Sequence, residues 1–272
     1  MKLFPDGKVR VGIIGLGAIG SFLMAELKDE KYLEVIAAAD LDEAKRKQIA
    51  AAYPGVYLTD DYTTFPTEVD VYVECAVAAV ADAVAKFALE RGKVAIIASV
   101  GGLSDIRPLR RLARETGGHL YIPSGAIGGL DALKAIPSES IKEVRLTTTK
   151  NAASFKNNLY VIGKGINLEG ITKPVVIFDG NAGDAVKAFP KNINVSAILS
   201  YAGIGREDTH VVIIADPFIK VNRHEVYIKS EHGEIKVEVN NVPFELNPST
   251  SKLAAFSILA AVKSLVYTIT IG

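Results

Sequence analysis

The amino-acid sequence predicts an α/β fold class: a doubly wound parallel sheet, then a second α+β domain, then a C-terminal helix that packs back. Three observations carry this. From Val9 to Pro123, short apolar runs rich in Val, Ile and Ala alternate with amphipathic stretches, the rhythm of parallel strands joined by crossover helices. After Pro123 the apolar residues alternate with polar ones, as in strands that keep one face on a core and turn the other to solvent. The stretch 248–267 is largely apolar at helical spacing and must cover some other surface.

In chain order, strands are expected at 9–15, 33–40, 71–75, 94–99 and 119–123, with helices at 19–28, 42–52, 77–91 and 104–116. The near-continuous apolar character of these strands suits a sheet covered on both faces. The small-residue run Ser124-Gly125-Ala126-Ile127-Gly128-Gly129 then marks a crossing into the second domain. There, strands are expected at 143–150, 175–178, 210–215, 223–229 and 234–239, Glu231-His232-Gly233 reads as a hairpin turn, and helices fit 182–189 and 194–202. This sheet should be mostly antiparallel. Ser249 and Thr250 stand as N-caps for the final helix, whose Leu253, Phe256, Leu259, Ala260 and Leu265 share a helical spacing. The expected domains are 1–124, 125–248, and a helix and tail at 249–272 that returns to the first domain or bridges both. A chain of 272 residues is long for one core and comfortable for two.

Composition narrows the function classes. With 49% hydrophobic and 23% charged residues the chain can bury substantial cores. Basic and acidic residues both total 31, and no Lys/Arg run could track a phosphate backbone, which argues against nucleic acid as a partner. The single cysteine, Cys75, offers neither a disulfide framework nor a thiolate metal site and fits a reducing compartment. No apolar stretch approaches the roughly 20 residues of a membrane span, and the first six residues do not read as a secretion signal, so a cytoplasmic location away from membranes is expected.

The strongest motif is Gly15-Leu16-Gly17-Ala18-Ile19-Gly20, placed directly after an apolar run and directly before a helical pattern. In that setting G-x-G-x-x-G is the Rossmann dinucleotide fingerprint. The first glycine makes the turn, the second admits the pyrophosphate, the third lets helix and strand close up, and the helix N-terminus supplies unpaired N–H groups to the phosphates. Asp40 ends the second strand twenty positions after Gly20, where a carboxylate can accept hydrogen bonds from the adenosine ribose. That favours NAD over NADP, although Lys45 and Arg46 soften the discrimination. Asp40 also fits a cap on the helix that follows, and the two roles can coexist.

Glu74-Cys75-Ala76 closes the next long strand and Ser99-Val100-Gly101-Gly102 the one after it, at the strand ends that line a cofactor crevice. Cys75, Ala76 and Ser99 are therefore candidate cofactor neighbours. Cys75 reads as readily as a small buried hydrophobe, and the glycines after Ser99 suit either close cofactor approach or a plain turn.

At this point the residues resemble a known family. The segment Ile122 to Asp131, Phe189-Pro190-Lys191-Asn192-Ile193-Asn194-Val195, Ala215-Asp216-Pro217 and Asn222-Arg223-His224 are similar, in this order, to signatures of the L-aspartate dehydrogenases, and with the fingerprint they span essentially the whole chain. The resemblance implies oxidation of L-aspartate by NAD, or less strictly NADP, to iminoaspartate, which hydrolyses to oxaloacetate and ammonia. It also implies the reverse reductive amination and a supply of iminoaspartate to NAD synthesis. Residue by residue, it implies cofactor contacts from Ala126 and Asn192 and a catalytic histidine at His224. Lys150 resembles a family lysine often followed by prolines, but Asn151-Ala152 follow it here.

The residues make a parallel case for His224. Strand alternation sets it with Val226 and Ile228, opposite Arg223, Glu225, Tyr227 and Lys229. A lone histidine on an apolar face is also a common core residue, whereas imine hydrolysis calls for a group that exchanges protons near neutral pH, with a pKa displaced from about 6.5 by apolar neighbours. His119, His210 and His232 sit at strand starts or in a turn and read as structural, and no metal-ligand spacing occurs, so no metal is expected. For a dicarboxylate substrate, Lys150, Lys191 and Arg223 are the candidate cations. Asn194 is a further substrate candidate, and either it or Asn192 caps the helix that follows. The alternatives are a homoserine dehydrogenase-like enzyme and a catalytically silent NAD-binding module. An antiparallel sheet with one bare face points to a homodimer or larger homo-oligomer.

Overall fold

The computed structural model describes residues 7–190, 194–244, 248, 250–267 and 269. The chain divides into two compact units, one made of residues up to Pro123 together with those from Ala255 onward, the other of Ser124–Ala254.

The first unit runs β1 (Val9–Ile14), α1 (Ala18–Leu27), β2 (Leu33–Ala39), α2 (Glu43–Ala52), β3 (Tyr57–Thr59), β4 (Val71–Glu74), α3 (Ala78–Glu90), β5 (Val94–Ile97), α4 (Ile106–Thr116) and β6 (His119–Tyr121). The second runs α5 (Leu130–Ala135), β7 (Ile141–Asn151), α6 (Leu159–Gly163), β8 (Val175–Asn181), α7 (Ala182–Ala188), α8 (Asn194–Ala202), β9 (Thr209–Asp216), β10 (Asn222–Ser230) and β11 (Gly233–Asn241), and α9 (Lys252–Ser264) follows.

In the first unit the six strands are all parallel in the order β3-β2-β1-β4-β5-β6, so the order reverses between β1 and β4. Ligands of such sheets bind beyond the carboxyl ends of the strands at that switch point. One core packs Val9, Val11 and Ile13 of β1 and Val71 and Val73 of β4 against Leu23, Met24 and Leu27 of α1 and Ile258, Leu259 and Val262 of α9. Each such side chain contributes about 1.5–3 kcal/mol on burial. Helix starts follow local chemistry: Asp42 accepts from Ala44 N and Asp105 from Arg107 N, while Gly117 ends α4 at φ +75°.

The second sheet has the order β11-β10-β7-β9-β8, antiparallel at every pair but β7·β9. Its buried face carries Val144, Leu146, Thr148 and Lys150 of β7, Val211, Ile213 and Ala215 of β9, and His224, Val226 and Ile228 of β10. Arg145, Thr147 and Tyr227 point the other way and keep solvent exposure.

Several elements differ from the sequence expectation. The edge strand β3 and the short helices α5 and α6 are too short to show a period. The last helix starts at Lys252 rather than near Pro248, because Ser251 first bridges to Pro243 and the Thr250 carbonyl accepts from Phe244 N. Thr250 therefore sits in a strand-like return, and Ser249 lies outside the described residues.

Candidate functional site

In the first unit the glycine turn assigns a separate task to each glycine. Gly15 has φ +96°, and a Cβ there would lie 2.7 Å from the Ala76 nitrogen, so both conformation and close packing demand glycine. A Cβ on Gly20 would collide with the Gly15 carbonyl oxygen. Gly17 differs: nothing lies within 4 Å of the position its Cβ would take. That space adjoins the first turn of α1, whose N–H groups at Ala18, Ile19 and Gly20 have no acceptor within their own helix, and the first turn holds no acidic residue. The cradle fits a pyrophosphate.

Asp40 follows β2 and is tied to this turn. Its Oδ2 accepts from Leu16 N at 2.7 Å and its Oδ1 from Asp42 N at 2.9 Å, with Lys45 Nζ at 3.4 Å. Burial opposes its charge, but those two N–H donors and Lys45 outweigh burial and hold the carboxyl below its ordinary value. Asp42, not Asp40, caps α2. Arg46 Nη1 donates to the carbonyls of Asp40 and Leu41 at 2.6 and 3.0 Å, which brings a second cation to the strand end.

Cys75 is partly buried, and burial, followed by the charge of Glu74, pushes its thiol well above the ordinary value, so it remains protonated at neutral pH. Ala76 is exposed and Ser99 is buried. A Cβ on Gly102 would strike the Ala78 carbonyl, so this glycine serves the packing of its loop against α3. Glu74 is fully buried and joins the two loops, a role with no sequence signal beyond its place at a strand end.

In the second unit His224 is 2% exposed and pairs across the β7–β10 register with Thr148, whose Oγ1 lies 2.9 Å from His224 Nδ1. Lys150, two residues further along the same face of β7, is 3% exposed. Burial lowers Lys150 to about 8. Burial, then the Lys150 ammonium, lowers His224 to about 3, so the imidazole is neutral at physiological pH.

The flanking motifs are tied down by their own hydrogen bonds within the second unit. Asn222 donates to the Pro248 carbonyl and to Ser251 Oγ, both at 3.2 Å. Asp216 Oδ1 accepts from Phe218 N and Ile219 N, and Asn151 Nδ2 donates to the Ile219 carbonyl at 3.1 Å, which fixes the loop between β9 and β10. Ala126 is buried with its carbonyl accepting from Asn241 Nδ2 at 3.0 Å. Asn194 is the first residue of α8, while Lys191 and Asn192 lie outside the described residues.

Other expectations separate from the site. Arg223 lies on the opposite face from His224 and donates to Asn240 Oδ1 at 3.0 Å. His210 pairs with Asp179 at 2.6 Å, His119 packs on Tyr121, and His232 occupies the β10–β11 turn. Among the described residues no group of three His, Cys, Asp or Glu side chains could hold a metal, and no helix is long and apolar enough to cross a membrane.

Residues 131–265 match the family profile described as aspartate dehydrogenase, C-terminal, and residues 15–123 the one described as homoserine dehydrogenase, NAD binding domain. The chain is 38% identical over 269 residues to the L-aspartate dehydrogenase of Methanocaldococcus jannaschii, covering 97% of this chain and 99% of that one. It is 40% identical over 270 residues to that of Methanococcus maripaludis strain C6, again covering 97% and 99%. The crystal structure of aspartate dehydrogenase from Thermotoga maritima matches with a TM-score of 0.73 at 30% identity, over 97% of this chain and 99% of that one. With a dinucleotide cradle at one end of its sequence, a buried histidine near the other, and this identity along nearly its full length, the chain belongs to the L-aspartate dehydrogenase family.

Proposed function

We propose that this chain catalyses NAD(P)-dependent oxidative deamination of L-aspartate to iminoaspartate, released as oxaloacetate and ammonia after hydrolysis, and the reverse reductive amination. The observation that carries this is the near full-length identity to L-aspartate dehydrogenases. The N-terminal profile by itself would also admit a homoserine dehydrogenase, but the C-terminal half matches aspartate dehydrogenase.

The first-turn N–H groups of α1 and the open space at Gly17 hold the pyrophosphate, and the Asp40 carboxylate faces the adenosine ribose. Lys45 and Arg46 beside it allow NADP as a second cofactor. Cys75, Ala76 and Ser99 line the crevice, and Ala126 and Asn192 carry the family's cofactor contacts. A nicotinamide cofactor held there would supply the hydride acceptor.

His224 moves the protons. As a base it needs a bare Nε2, which calls for the tautomer whose Nδ1–H donates to Thr148 Oγ1, 2.9 Å away. Burial is the main cause of its low pKa and the Lys150 ammonium the second; a substrate carboxylate held by Lys150 would offset that charge and make His224 a stronger base. Lys150, Lys191 and Asn194 are the groups we assign to substrate carboxylates. The accessible sheet face bearing Arg145, Val176 and Tyr227 suits a homodimer, and the single cysteine suits the cytoplasm.

A steady-state assay with aspartate and with homoserine, each with NAD and NADP, tests the proposal. Turnover of homoserine at a higher kcat/KM than aspartate overturns it.

A further inference from the structure

Glu74 has no part in the chemistry above, yet it is a fully buried carboxyl at the switch point of the first sheet. Its Oε1 accepts from Ala76 N at 2.8 Å and its Oε2 from Ser99 N at 2.9 Å. One side chain thus ties the loop after β4 to the loop after β5, 25 residues apart in sequence. The first of these loops touches the glycine turn directly, since a Cβ on Gly15 would lie 2.7–2.8 Å from Ala76 and Cys75 backbone atoms, and Cys75 N donates to the Ile14 carbonyl at 2.7 Å. The second is locked against the first turn of α3, where Gly102 abuts the Ala78 carbonyl.

An apolar side chain would fill this space without the desolvation that a carboxyl suffers there. What it could not supply is two acceptors aimed at two N–H groups in different loops. Burial pushes Glu74 above its ordinary value, while donors from Ser99 and Ala76 pull it back toward the charged form.

We propose that Glu74 is a positioning residue for the cofactor: it locks the Cys75–Ala76 and Ser99–Gly102 segments to each other and, through Gly15, to the pyrophosphate turn. The wall of the crevice then approaches NAD as one preformed body. The inference rests on the dinucleotide assignment of the crevice and is independent of His224.

Glu74→Gln is the test, because it keeps the size of the side chain but sets an NH2 donor against one backbone N–H. NADH titration by fluorescence should show a dissociation constant raised about tenfold or more, equivalent to about 1.4 kcal/mol. KM for NAD should rise in parallel, while KM for aspartate and kcat at saturating NAD change less than about threefold. Glu74→Asp, which keeps the charge but withdraws it by one methylene, should fall between the two. A lower melting temperature with unchanged NADH affinity in the folded Gln variant makes Glu74 merely structural and overturns the proposal. If that variant does not fold, amide exchange in the wild type decides: Ala76 and Ser99 N–H opening together supports the lock, and independent opening overturns it. A wild-type chain that binds no NADH overturns the cofactor assignment itself, whereas normal wild-type binding with an unaffected Glu74→Gln overturns the lock alone.

Discussion

Thr148 Oγ1 and His224 Nδ1 face each other at 2.9 Å across neighbouring antiparallel strands, with both side chains buried. The hydroxyl engages Nδ1, which leaves Nε2 as the nitrogen for the proposed reaction. Thr148→Val removes it at nearly constant volume, leaves Nδ1 without its partner, and frees the ring to change tautomer. We expect kcat to fall about tenfold or more and stability to fall by about 1–3 kcal/mol. Thr148→Ser should restore most of kcat. Equal turnover in the Val and Ser variants, measured beside their melting curves, would remove Thr148 from the mechanism.

His224→Ala should lower kcat by about a hundredfold to ten-thousandfold, the usual contribution of a general acid-base group, while NAD affinity stays near wild type. A core histidine would instead lose stability and keep turnover in the folded fraction. Turnover, melting temperature and NADH titration on one preparation separate the two, and near-wild-type kcat sinks the assignment.

The pH profile of kcat/KM reports the free enzyme. With His224 at about 3 in that state, aspartate oxidation should show no acid limb near 6.5. It should fall instead as pH rises through about 8, where Lys150 loses the proton that holds a substrate carboxylate. Lys150→Met should raise KM for aspartate and abolish that alkaline limb. An unchanged limb in the Met variant assigns it to another group.

Stability follows the same groups with a definite sign. Between about 3 and 6.5 the unfolded His224 binds a proton that the folded one refuses, so folding weakens as pH falls through this window, by up to about 1.4 kcal/mol per unit. Full stability from this group is present above 6.5. In His224→Gln, denaturant titrations from pH 4 to pH 7 should lose about one proton's worth of that slope; an undiminished slope means His224 is not the proton acceptor.

Gly17→Val fills the one glycine position of the fingerprint that faces open space, so the fold should persist while the pyrophosphate is excluded. Circular dichroism should stay near wild type and calorimetric titration should register no NAD binding. Retained affinity would remove the turn from the cofactor site.

The parts legible in sequence were those encoded over short stretches. The strand, glycine turn and helix of residues 9–27 announce themselves because apolar period and phosphate chemistry both act locally. The burial of His224 followed from simple alternation along β10. Thr148 and Glu74 did not stand out, because their partners are 76 and 25 residues away and pairing register is a tertiary outcome. Arg223, a candidate substrate cation by residue type, stands on the face opposite His224, as the same alternation implies. The start of α9 was misplaced because the bridge from Pro243 to Ser251, which delays it, leaves no periodic trace.

The discontinuous core of the first unit also sets a timetable for the newborn chain. Val9, Ile13 and Val71 leave the ribosome early, yet Ile258, Leu259 and Val262, which share their core, are made long after them. Until then an apolar surface beside α1 stands open to the chaperones and hydrophobic encounters of the cell. A messenger cut short before Lys252 would leave that surface bare for good, so premature termination this late should yield an aggregating product instead of a slightly weakened enzyme.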